Sequence, residues 1–100
     1  MQHLASALQS KDEVESILEQ EEESLETARH HIHQAGLDAP LEELQNQHQI
    51  LTRTIKVKRR TMKKNPIREH KQRMFDLIQR AERLRDHVAD LMNQKGQSHA

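Results

Sequence analysis

Three apolar stripes follow one another along this chain, each with the three-and-four spacing of a helix that buries one side, and they are cut apart by strong stop signals. The first holds Val14, Leu18, Glu21, Leu25, Ala28, Ile32 and Ala35. The second holds Leu37, Leu41, Leu44, His48, Leu51, Ile55, Lys58 and Met62, and the third Ile67, His70, Met74, Leu77, Ala81, Leu84, Val88 and Leu91. Such spacing is the signature of heptad helices packed side by side.

The punctuation divides the chain in the same places. Ser10-Lys11-Asp12-Glu13 has the pattern of a capping box, so a helix is expected from residue 10. It should end at Ala35, with Gly36 adopting the left-handed conformation and Leu37 folding back on Ile32. Asp38 reads as the next N-cap, with Pro40 tolerated in the first turn and Glu42 and Glu43 near the positive end of the dipole. Asn65-Pro66 reads as a cap followed by proline at the first helical position. The expected organisation is an N-terminal extension, 1–9, helical or frayed, a bundle over 10–95 with helices at 10–35, 38–64 and 66–95, and a flexible tail, 96–100.

Helices of nearly equal length joined by tight turns predict an all-α fold, an antiparallel three-helix bundle running up, down and up. The alternative is a long helical hairpin that finds its third helix in another chain. In a chain of 100 residues the core is thin, and Leu, Ile, Val and Phe supply 21 residues, near the level at which chains stay disordered. Regular spacing and a formal net charge of zero favour order. With no Trp, no Tyr and one Phe, a β-sandwich or barrel is disfavoured.

The charge is segregated along the chain. Residues 1–50 carry eleven acids and two basic residues, net −9, and residues 51–100 carry five acids and fourteen basic residues, net +9. In a hairpin turning near Gly36 the acidic first helix lies beside the basic second, so the run at 53–73 is expected to be partly neutralised within the fold. Arg60, Lys63, Lys64, Arg68 and Lys71 fall beyond the densest acids and form a candidate basic patch for a phosphate backbone or an acidic protein surface. Interleaved aromatics for base stacking are missing.

Polar residues in the stripes raise the question of buried charge. Glu21, His48, Lys58 and His70 stand where Leu is expected, with His48 level with the Glu21 turn. The favoured expectation is that all four reach the edge of a narrow bundle with their polar ends in water. His30, His33 and Glu26 share a helical face, a spacing at which imidazole and carboxylate hold zinc, but nothing nearby completes a dedicated set, and no metal site is expected. The chain has no Cys, two Gly, no phosphate-cradling loop and no nucleophile motif, so neither a cofactor nor an enzymatic activity is expected. No apolar run approaches a transmembrane span, and the N-terminus lacks the pattern of a signal peptide, so the expectation is a soluble, cytoplasmic protein.

Ile50 and Val57 lie about 100 degrees from the main stripe of the second helix, and Phe75 and Ile78 from that of the third. These four are the candidate partner-binding residues, a second apolar stripe for a partner helix or a second copy of the chain. The run LEELQNQHQILTRTI, residues 41–55, with a heptad helix after it, resembles the middle of a spectrin-type repeat, which implies a three-helix bundle of about this size. The Trp usual in such repeats is absent, and the resemblance assigns no family. The functional expectation is a non-enzymatic helical interaction module: an adaptor, assembly factor or small chaperone. The runner-up is a nucleic-acid-associated module using the basic turn between the second and third helices.

Overall fold

A computed structural model describes the backbone of residues 2–98 and the side chains of residues 11–96. It is all-helical: α1 (Gln2–Ala35), one 3₁₀ turn (Gly36–Asp38), α2 (Leu41–Lys64) and α3 (Arg68–Ser98) pack as a three-helix bundle about 64 Å long. No helix among the described residues is long and apolar enough to cross a membrane.

The turns follow local chemistry with some differences from expectation. α1 continues N-terminally through Ser10, so the capping box there does not start the helix. Gly36 takes φ +52°, the left-handed conformation expected of it. Leu37, however, does not fold back onto Ile32; it is 49% exposed, and Ala39, 5% exposed, closes the core at this end instead. Asp38 belongs to the 3₁₀ turn and does not cap α2: Pro40 stands in the capping place and its carbonyl accepts from Leu44 N–H at 3.1 Å. Proline has no N–H to leave unsatisfied there. At the second turn Asn65 Oδ1 accepts from Ile67 N–H at 2.8 Å, the side-chain bond expected of Asn before proline, and regular helix resumes at Arg68.

α3 is the spine of the bundle. Its backbone packs closely against both α1 and α2, whereas no Cα of α1 comes within 8 Å of a Cα of α2. The core divides accordingly. Leu44, Leu51 and Ile55 of α2 and Ile32 of α1 meet Ile78, Ala81, Leu84, Val88 and Leu91 of α3, while Leu18 of α1 meets Met74 and Leu77. Ile78, expected on an exposed stripe, is 4% exposed and sits in the larger cluster. A helix with neighbours on two sides buries a wide arc, so both Leu77 and Ile78 turn inward.

Two of the polar stripe residues are buried, contrary to expectation. Lys58 is 9% exposed and His70 1% exposed, while Glu21 and His48 are half-buried. Lys58 Nζ donates to Glu21 Oε1 at 2.6 Å, so the partner of Glu21 is Lys58 and not His48. His70 Nε2 lies 3.2 Å from Glu15 Oε1, and its buried Nδ1 has no hydrogen-bond partner among the described residues. Between α1 and α3, Glu15 pairs with His70, Glu22 with Arg73, and the rings of His33 and His87 stack 4.2 Å apart. α2 contributes Lys58 to Glu21, Glu43 to His31 at 2.9 Å and Arg59 to Glu82 at 2.8 Å. At the first turn Lys95 Nζ donates to the Leu37 carbonyl at 2.7 Å.

Candidate functional site

Since α1 and α2 stand apart, a groove of about 320 Å³ opens between them. Leu25, Ala28, Leu51, Leu77 and Ala81 line it, and so do Ile17 and Ile50, 51% and 49% exposed. The polar lining is Gln20, Ser24, Gln47 and Thr54, all uncharged, with Glu21, whose charge is met by Lys58. A helix laid into the groove therefore has apolar surface to cover and little charge to strip of water.

The four residues proposed as an apolar stripe do not form one surface. Ile50 lines the groove with Ile17, and Val57 is 52% exposed one turn pair further along α2. Phe75, 44% exposed, lies in another depression, and Ile78 is in the core. Ile17 escaped the sequence reading although it stands one residue off its stripe, beside Leu18. The offset that singled out Ile50 and Val57 on α2 identifies Ile17 on α1 as well.

The second depression, at the turn between α2 and α3, is lined by Met62, Lys63, Arg68, Lys71, Gln72 and Phe75. Three of the five candidate basic-patch residues thus line the same depression as Phe75. Arg60 and Lys64 are exposed on the same end of α2 without lining it. Of the ten Lys and Arg between 53 and 73, Lys58, Arg59 and Arg73 make ion pairs among the described residues, and none of Arg60, Lys63, Lys64, Arg68 and Lys71 does. The expected neutralisation by α1 reaches only part of the run: among the described residues α1 supplies Glu21 to Lys58 and Glu22 to Arg73, while its Glu15 goes to His70.

A third cleft, between α1 and α3, holds the stacked His33 and His87 with Arg29, Arg80 and Arg83 and the acids Glu22 and Glu26. Arg29 Nε donates to both carboxylate oxygens of Glu26 at 3.1 Å, which holds the Glu26 carboxyl below the usual carboxylate range. Desolvation, with the charges of His87 and Arg29, pushes the His33 imidazole below its ordinary value. Among the described residues no three His, Asp or Glu side chains converge as a metal site, so Glu26, His30 and His33 do not assemble one.

Compared with known proteins, the chain matches no family model, no curated protein and no solved structure.

Proposed function

We propose that this chain is a non-enzymatic protein-interaction module, an adaptor, assembly factor or small chaperone of the cytoplasm, that takes up an amphipathic helix of a protein partner between α1 and α2. The carrying observation is the open groove with Ile17 and Ile50 on its lips and uncharged polar groups at its sides. Ile17 and Ala28, at its two ends on α1, are separated by about 17 Å of helix, enough for three turns of a partner with anchors at i, i+4 and i+7.

The same reading takes the bundle as antiparallel, up, down and up. Supporting it, paired residues of α1 and α3 rise together in number, from Glu15–His70 to His33–His87, whereas those joining α1 to α2 run in opposite senses, from Glu21–Lys58 to His31–Glu43. In that arrangement the groove is flanked by two helices of opposite direction, and a partner helix completes a four-helix layout.

The test is the double variant Ile17→Asp with Ile50→Asp. Helical circular dichroism is expected to stay unchanged while binding of a model amphipathic helical peptide is lost. Sedimentation equilibrium of the unmodified chain distinguishes a second copy as the occupant: concentration-dependent dimers abolished by the double variant place another copy of this chain there. A double variant that unfolds would assign both side chains to the core and end this reading.

A further inference from the structure

The depression at the turn between α2 and α3 combines features that the groove between α1 and α2 lacks. The sole Phe of the chain stands 44% exposed within it, although large apolar residues are scarce here and the core is thin. Met62, Lys63, Arg68 and Lys71 line it together with the ring. None of these cations has an ion pair among the described residues, and neither do the adjacent Arg60 and Lys64. Of the acids of α1, Glu15 and Glu22 are taken up by His70 and Arg73.

We propose that this depression binds an acidic segment of a partner protein, with an apolar side chain of that segment seated on Phe75 and Met62 and its carboxylates against Lys63, Arg68 and Lys71. Charge complementarity selects the acidic partner. The apolar centre selects a peptide: a thioether next to an aromatic ring adapts to a Leu or Phe side chain, and aromatic centres with charged surroundings are typical anchors of protein interfaces. Sequence-tolerant binding of single-stranded nucleic acid uses successive stacking platforms, and this surface offers one ring. A long polyanion would also run from the patch onto a chain whose net charge is zero and whose first half is strongly acidic.

The experiment uses fluorescence anisotropy with the full chain and labelled probes: a short Asp/Glu-rich peptide with central leucines, the same peptide with serines in their place, and oligothymidylate. The leucine peptide is expected to bind, the serine peptide more weakly, and Phe75→Ala to weaken the leucine peptide about tenfold with helicity unchanged. Phe75→Leu should retain most of the affinity, and Arg68→Glu with Lys71→Glu should abolish it. Ile50→Asp should leave it intact, which separates this surface from the groove between α1 and α2. The proposal is overturned if the leucine peptide does not bind, if serine and leucine peptides bind alike and Phe75→Ala changes nothing, if Ile50→Asp removes binding, or if oligothymidylate binds more tightly than either peptide. That last result would make the turn a nucleic-acid site.

Discussion

Lys58 of α2 places its ammonium 2.6 Å from a carboxylate oxygen of Glu21 on α1, with the Lys58 side chain 11% exposed and that of Glu21 28% exposed. The pair spans helices whose backbones do not approach closely, so two long side chains bridge what apolar packing leaves open. A buried ammonium is tolerated only while its counter-charge is present.

Glu21→Ala should therefore be costly. A destabilisation of about 2 kcal/mol is expected, below the ~3–5 kcal/mol of fully buried pairs because Glu21 retains contact with water. Replacing both residues together, Glu21→Leu with Lys58→Met, should be neutral or stabilising by about 1 kcal/mol. Urea denaturation of the unmodified chain and Glu21→Ala measures the first value, and adding Glu21→Leu, Lys58→Met and their double variant closes a double-mutant cycle that gives the second and the coupling.

His70 is buried more deeply and bonded less completely. Its Nδ1 has no partner among the described residues, and its contact with Glu15 reaches a carboxylate that is 43% exposed and readily hydrated again. His70→Leu is expected to raise stability by about 1 kcal/mol, or roughly 4–8 °C in Tm. A lower Tm would show that the bond to Glu15 outweighs the orphaned nitrogen.

His33, stacked on His87, should make stability depend on pH. The folded-state pKa of His33 is lowered, so the unfolded chain binds this proton more readily. No contribution arises above the unfolded pKa, about 6.5, where both states are neutral; as pH falls below it, the folded state loses stability until its own imidazole titrates. The urea midpoint should drop as pH falls below about 6.5, and His33→Gln should flatten the drop. Unchanged pH dependence in the variant would locate the effect elsewhere.

Gly36 permits a test of the first turn free of steric complication. It holds φ +52°, and a Cβ built there meets nothing within 4 Å. Gly36→Ala should thus cost only backbone strain, about 1 kcal/mol, readable by thermal denaturation.

Much of the fold was legible because heptad spacing and turn chemistry are local. Leu77, Ala81, Leu84, Val88 and Leu91 were placed on one stripe and are buried. Gly36 and Asn65 act at their turns through backbone preference and one side-chain bond, which depend on nearest neighbours. Depth was not legible. Periodicity gives the direction of Lys58 and His70 but not how far neighbouring helices close over them, and that distance is a tertiary quantity. The central place of α3 is hard to read for a related reason: adjacent Leu77 and Ile78 signal a helix with two neighbours, yet a single heptad stripe assigns one to the core and the other to an exposed face. In the candidate site, exposure of Ile50, Val57 and Phe75 follows from their offset on the helix. Their separation onto different surfaces depends on which helix lies beside which.

The spine position of α3 also sets how the molecule yields to force. The apolar cluster joining Leu44, Leu51 and Ile55 to Ile78, Leu84 and Val88 is built mainly from α2 and α3, with Ile32 its buried member from α1. Tension that peels α1 away would leave that hairpin standing, so stretching from the N-terminal end should give way in two steps. Pulling α3 out instead removes the support of both other helices, and the chain should rip apart in a single event.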